Sequence, residues 1–244
     1  VNLPNAITAG RIAVTPLIAV LPFVAAWEWR LVAFVLYVVA AATDYLDGKL
    51  ARDRGQVTDL GRLLDPLADK LLLLGTFVPM YLLQGGGGPL SFLSPLHEPA
   101  VATLAEGVWL RESGREAFPF VLGGFTITLP FLVVAVVLGR EALMTAFRQF
   151  AARRGIVISA IGPAKWKTGF QSVWVGAAYF WFFAATLAAD QGWTSGAWRA
   201  FAGFNALVGL TTMVVAVTLT VWSLWLYGRR FTGPVLRARG RSPS

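Results

Sequence analysis

The sequence predicts an all-α integral membrane protein with six transmembrane helices, an N-terminal interfacial helix and both termini on the cytoplasmic side. Composition is the first reason. The 244 residues are 56% hydrophobic and only 14% charged, whereas a soluble domain carries about 25% charged residues. The second reason is a succession of apolar runs, each near the ~20 residues that cross a bilayer. The third is charge asymmetry. If the runs alternate across a membrane, 17 of the 21 Lys and Arg fall on one side and only Arg30, Arg111, Arg115 and Arg199 on the other. By the positive-inside rule, the side holding both ends of the chain is cytoplasmic. The net charge of +8 is then topology plus attraction to anionic lipid, and nucleic-acid binding is excluded.

Residues 1–11 (V-N-L-P-N-A-I-T-A-G-R) are short and amphipathic, with Pro4 and Asn5 marking a helix start at the membrane surface. Arg11 interrupts the apolar stretch and no small-residue cleavage site follows, so no cleaved signal peptide is expected. The six spans are expected at residues 12–27, 31–52, 64–83, 120–138, 168–188 and 200–227, the fourth continuing as a helix through Gly139-Arg140-Glu141 to about Arg154. Residues 84–119 form a long outer loop. It opens on Gly85-Gly86-Gly87-Gly88-Pro89, which lacks the Lys-Ser/Thr of a phosphate-binding loop and reads as a turn, and a surface helix is expected near residues 100–111. A basic tail, 228–244, completes a single domain. Cysteine is absent and His97 is the single histidine. Thiolate chemistry is therefore excluded, and a His-based triad or zinc site is not expected.

The stretch from Thr43 to Lys70 organises the rest. Asp44 and Asp47 lie at i, i+3, and Asp65 and Asp69 at i, i+4, so each pair shares one helix face. Both pairs sit at the ends of apolar runs, where like charges repel and resist desolvation. Arg52 and Lys70 cannot neutralise four carboxylates, and hard divalent cations take oxygen ligands. Two Mg²⁺ or Mn²⁺ ions are therefore expected, in the two-metal arrangement used for in-line displacement at phosphorus. Gly48 and Ala51 leave a shallow groove on the same face, and Arg52 suits a phosphate oxygen. After a loop of roughly a dozen residues the next helix returns antiparallel from about Leu64, with Pro66 in its first turn. Asp53 and Asp59 read as solvated or paired surface acids. Such a site suits a substrate with a diphosphate head and tails in the bilayer.

The pattern D-x2-D-G-x2-A-R-x8-G-x3-D-x3-D, here Asp44, Asp47, Gly48, Ala51, Arg52, Gly61, Asp65 and Asp69, resembles the signature of the CDP-alcohol phosphatidyltransferase family without departure in residue type or spacing. The segments Asn5 to Arg11, Leu64 to Lys70, Gly139-Arg140-Glu141 and Ile161-Gly162 with Lys165-x-Lys167-Thr168 are similar to its phosphatidylglycerophosphate synthase branch, although the outer loop is longer than that branch leads one to expect. The resemblance implies a homodimeric enzyme of phospholipid biosynthesis in the cytoplasmic (inner) membrane, its active site facing the cytoplasm. It would move a phosphatidyl group from CDP-diacylglycerol to sn-glycerol 3-phosphate and release CMP. It also implies that Asp44, Asp47 and Asp65 are metal ligands, and that Asp69 shares a metal and is the general base. Asp47, Gly48, Ala51, Arg52 and Gly61 would then lie on the CDP side.

A phosphorylated acceptor needs a cationic pocket, and Arg140, Arg148, Lys165 and Lys167 flank the acidic cluster on neighbouring segments. Their plainer reading is cytoplasmic-side charge alone. Asn5, Thr8 and Arg11 are further candidates for reaching the site. Alternatives within the same chemistry are a CDP-diacylglycerol-dependent cardiolipin synthase and an inositol-phosphate phosphatidyltransferase. From other classes come a Mg²⁺ transporter, which would set its carboxylates along a pore at mid-depth, and a catalytically dead lipid-binding scaffold, against which the intact signature argues.

Overall fold

The computed structural model describes residues 3–53, 59–84, 120–122, 125–127, 129–156, 158 and 162–237. Within these, the structure describes the backbone alone at 3–4, 45–53, 59–60, 62–63, 84, 120–122, 125–127, 163–165 and 233–237. Among the described residues six α-helices carry the architecture: α1 (Leu3–Val20), α2 (Trp27–Asp53), α3 (Asp59–Gln84), α4 (Phe131–Ala152), α5 (Gly162–Asp190) and α6 (Gly196–Arg237). Among the described residues four stretches are long and apolar enough to cross a membrane: Asn5–Phe23, Leu64–Leu83, Trp166–Asp190 and Gly196–Thr232. Large apolar side chains such as Val20, Val35, Leu132, Phe204 and Val214 face outward. Such a surface suits lipid rather than water, and the chain is an integral membrane protein.

Three sequence expectations are corrected. The interfacial helix is not a separate element, because residues 3–20 form one helix. Its buried face runs unbroken through Thr8, Arg11, Thr15 and Ile18 at helical spacing, and the chain turns only at the single 3₁₀ turn Leu21–Phe23. The helix that carries the second half of the signature begins at Asp59 rather than near Leu64, so Pro66 lies inside α3 rather than in its first turn. An acidic residue at a helix start is favoured by the free N–H groups there. The fourth apolar run does not begin as helix. Phe120–Leu122 (β1) and Phe125–Ile127 (β2) pair antiparallel with Leu122 opposite Phe125, and helix starts only at Phe131 after Pro130. Two glycines between short β-branched and aromatic runs make a hairpin sequence. The expected outer-loop turn and the surface helix at 100–111 lie outside the described residues, as does the end of the basic tail.

Helix α5 is the centre. It packs along α6 and α2 and touches α3, while α1 packs along α3 and α2. Its buried aromatic residues Trp174, Tyr179, Trp181 and Phe182 supply the core. Tyr179 stacks on Tyr37 with ring centroids 5.5 Å apart, Trp181 on Trp198 at 5.6 Å, and Phe77 meets Trp174 edge-on at 5.0 Å. Polar pins set the register. The Tyr179 hydroxyl lies 3.2 Å from both the Ile18 and the Gly75 carbonyl oxygens, and the Tyr37 hydroxyl donates to the Ser172 carbonyl at 2.8 Å. At the opposite end of α2, buried Arg30 donates through Nε to the Pro22 carbonyl at 3.0 Å and through Nη1 to Thr186 Oγ1, tying the α1–α2 turn to α5.

The α1–α3 crossing controls the site above it. A Cβ on Gly75 would lie 2.8 Å from Thr15 Cγ2, and Thr15 Oγ1 donates to the Arg11 carbonyl at 2.8 Å. Thr15 is β-branched and cannot swing away cheaply. Gly75→Ala should therefore lower the thermal midpoint in detergent by the equivalent of about 1–3 kcal/mol. Adding Thr15→Ser, which removes the obstructing methyl and keeps the hydroxyl, should restore most of the loss. A Gly75→Ala protein with the parental midpoint would show that the crossing has slack.

Candidate active site

At one end of the bundle, α1, α2 and α3 converge through acidic side chains of α2 and α3 and polar ones of α1. Arg11 Nη1 lies 2.5 Å from Asp44 Oδ1 and 3.5 Å from Asp69 Oδ1, so two carboxylates from different helices share one guanidinium nitrogen. The Arg11 side chain is 1% exposed, whereas Asp44 and Asp69 are 43% and 61% exposed. The cation is thus inside and the anions open outward. One turn before Arg11, buried Thr8 donates from Oγ1 to Asp65 Oδ1 at 2.9 Å. Asn5, half-buried, lies one turn earlier on α1.

Asp44 and Asp69 line a cleft of about 170 Å³, and Lys70, Glu141, Lys167, Thr168, Gln171 and Ser172 also line it. Here the charge order is reversed: one carboxylate lies between two cations. Glu141 Oε1 accepts from Arg140 Nη1 at 2.8 Å and from Lys167 Nζ. Burial pushes the Glu141 carboxyl up, but Lys167 and Arg140 outweigh it and hold the carboxyl below its ordinary value. Arg140 is buried behind Glu141, where its Nη2 donates to Ser223 Oγ on α6 at 3.0 Å.

The sequence-predicted residues divide accordingly. Asp44, Asp69 and Arg11 come together, with Asp65 joined through Thr8. Arg140 and Lys167 meet through Glu141. Arg148 does not join the cleft lining. It is exposed, donates to the Tyr227 hydroxyl at 3.3 Å and lies over that ring at 5.8 Å. Gly61 is buried in the first turn of α3. Asp47, Gly48, Ala51 and Arg52 lie on α2 and Lys165 on α5, but their side chains fall outside the described residues. Sequence reasoning missed Glu141 and Gln171 as cleft residues, and Ser223 as the α6 partner of Arg140. The acid directly after Arg140, where the fourth apolar run ends, was the available signal for Glu141.

Among the described residues no group of three or more His, Cys, Asp and Glu forms a metal site. The donor chemistry still suits a hard cation. Asp44, Asp65 and Asp69 offer carboxylate oxygens at one bundle end, and hard divalent ions prefer oxygen ligands.

The fold and site define an integral membrane protein that keeps a polar, charged cleft at one end of an apolar helical bundle. The family model for CDP-alcohol phosphatidyltransferase matches residues 1–226, and the chain belongs to that family. Divalent metal ions are general to its chemistry. A relative from Pseudomonas fluorescens named CDP-diacylglycerol--glycerol-3-phosphate 3-phosphatidyltransferase is 30% identical over 98% of this chain and 94% of its own. An Arabidopsis thaliana relative, the second of that name, is 26% identical over 97% of this chain and 82% of its own. A relative from Oryza sativa subsp. japonica named cardiolipin synthase (CMP-forming) is 29% identical over 94% of this chain, which spans 57% of that relative's length.

Arg11 supplies positive charge at the place where a divalent ion would also be attracted. Arg11→Gln should lower the thermal midpoint in chelator. It should also enlarge the stabilisation gained on titrating Mg²⁺, since the competing cation is gone and ligand linkage grows with affinity. Equal Mg²⁺ shifts in the two proteins would show that Arg11 and the ion do not compete.

Proposed function

We propose that this chain transfers the phosphatidyl group of CDP-diacylglycerol to sn-glycerol 3-phosphate, giving phosphatidylglycerophosphate and CMP. The observation that carries this reading is the single cleft that holds Asp44 and Asp69 together with Glu141 and Lys167, in a chain of this family. Phosphoryl chemistry and recognition of a second, anionic substrate are thereby given adjoining walls.

In this reading Asp69 takes the proton of the acceptor's 1-hydroxyl. That oxygen bonds to the phosphorus bearing diacylglycerol as the bond from this phosphorus to the CMP oxygen breaks, and the negative charge leaves with CMP. Asp44, Asp47, Asp65 and Asp69 would hold two Mg²⁺ or Mn²⁺ ions, whose charge would neutralise the diphosphate and the departing phosphate. Arg11 and Thr8 orient three of these carboxylates from α1, with Asn5 one turn away. Asp47, Gly48, Ala51, Arg52 and Gly61 take the CDP part. Lys167 with Arg140, flanked by Arg148 and Lys165, takes the acceptor phosphate.

The topology that goes with this reading is six spans, both termini and the cleft at the cytoplasmic face of the inner membrane, in one domain that pairs as a homodimer. The positive-inside distribution of Lys and Arg supports the orientation.

The rice relative gives one rival a specific basis: the same CMP-forming step with phosphatidylglycerol as acceptor. Purified protein given CDP-diacylglycerol and either glycerol 3-phosphate or phosphatidylglycerol, with products identified by mass spectrometry, separates the two. Phosphatidylglycerophosphate is expected, and cardiolipin alone would replace this reading with the rival. Asp69→Asn should lower kcat by about 10²–10⁴-fold, the range for a positioned base, with both substrates still bound. Near-parental turnover would remove Asp69 from that role. Arg140→Ala should raise the KM for glycerol 3-phosphate more than that for CDP-diacylglycerol, and equal changes would count against an acceptor-side role.

A further inference from the structure

Two polar side chains in the cleft wall are not consumed by the phosphate pocket. Glu141 spends Oε1 on both Arg140 and Lys167, while its Oε2 accepts from no described residue. Gln171 lies one helical turn after Lys167 on α5, is 8% exposed, and also lines the cleft. Its carboxamide has no hydrogen bond among the described residues. The Glu141 side chain is 27% exposed and Gln171 lines the same cleft, so the carboxamide and the second carboxylate oxygen open onto it, where a polar ligand atom can meet them. Both lie in the same cleft as the Asp69 carboxylate and the Lys167 ammonium.

We propose that Glu141 and Gln171 are specificity-determining residues that read the acceptor's free middle hydroxyl. The inference rests on the glycerol 3-phosphate reading above. An acceptor held by its phosphate at Lys167 and by its attacking hydroxyl at Asp69 spans three carbons, and the hydroxyl on the central carbon falls between these anchors. Glu141 accepts from that hydroxyl and the Gln171 amide N–H donates to its oxygen, so the hydroxyl's one donor and its acceptor capacity are both met. A site built to hydrogen-bond a substrate hydroxyl rejects the analogue that lacks it, because its own buried groups are then left unpaired.

The test compares glycerol 3-phosphate with 3-hydroxypropyl phosphate, which keeps the phosphate and the attacking hydroxyl and lacks the middle one. Purified full-length protein is assayed with CDP-diacylglycerol and each acceptor. The parental enzyme should favour glycerol 3-phosphate in kcat/KM by about 10- to 100-fold, the range for a hydrogen bond involving a charged group. Gln171→Met keeps the volume and should cut that preference severalfold. Glu141→Ala should nearly abolish it, even though loosening Arg140 and Lys167 lowers both rates. The ratio is the readout, because a purely structural role changes both acceptors alike. Equal use of the two acceptors by the parental enzyme, or variants that lose both activities by one common factor, would overturn the inference and leave the proposed function standing. No product from glycerol 3-phosphate at all would overturn that function and this inference with it.

Discussion

Like charge cannot be gathered at the end of an apolar bundle unless opposite charge is built in beside it. Arg11 meets that demand from within the chain. Its guanidinium is buried while the carboxylates it serves stay partly open, the arrangement in which a buried cation is compensated by two anions and the anions keep outward-facing oxygens. Desolvating an ion costs several kcal/mol, and Asp44 and Asp69, which both reach Arg11, help to offset that cost. One residue thus fastens α1 to α2 and α3 together. The fastening is transmitted downward, from the Arg11 carbonyl to Thr15, from Thr15 to the close approach at Gly75, and from Gly75 to the Tyr179 hydroxyl on the central helix. Site geometry and core packing are the same set of contacts read at two heights.

The opposite side of the cleft repeats the solution with signs exchanged. Glu141 is to Arg140 and Lys167 what Arg11 is to Asp44 and Asp69: a single counter-charge between two like charges. Left alone, Arg140 and Lys167 would repel each other in a half-dry environment. Held by one oxygen of Glu141 they form a compact cationic feature whose net charge is about one. In the proposed reading such a feature would attract a phosphate without competing with the acidic end. The cleft is therefore polarised, with negative and positive side chains in one small volume, and on that reading this asymmetry would orient a small acceptor that carries a hydroxyl at one end and a phosphate at the other.

The acidic half of this design was legible in the sequence because its spacing is local. Asp44 with Asp47, and Asp65 with Asp69, share helix faces whatever the rest of the chain does. That Thr8 and Arg11 reach them was legible only as a possibility, since it depends on α1 staying helical through residue 11 and lying against α3. Glu141 was hidden for a different reason. Lys167 is on the next helix and Ser223 lies 83 residues from Arg140, so the cluster exists only after α4, α5 and α6 have packed, and no periodicity encodes that register. The hairpin at residues 120–127 was masked by hydrophobicity: eight apolar and small residues joined to an apolar helix read as one span, and the Gly-Gly punctuation was overridden. The early start of α3 was masked by its polar first turn, which carries no apolar periodicity.

The division of charge also says where acceptor choice must be made. Relatives of this chain are named for two reactions, transfer to glycerol 3-phosphate and CMP-forming cardiolipin synthesis. Displacing CMP from a diphosphate makes the same demand in both: negative charge must be neutralised and a hydroxyl proton removed. In the proposed reading the acidic end supplies that in both, and what differs is the body of the acceptor. The side chains placed to sense that difference would, on the same reading, be those of α4 and α5, which line the cleft together with Asp69. Selectivity would then be a property of the cationic wall and the polar groups between its charges, separable from the aspartates that the signature makes easy to find.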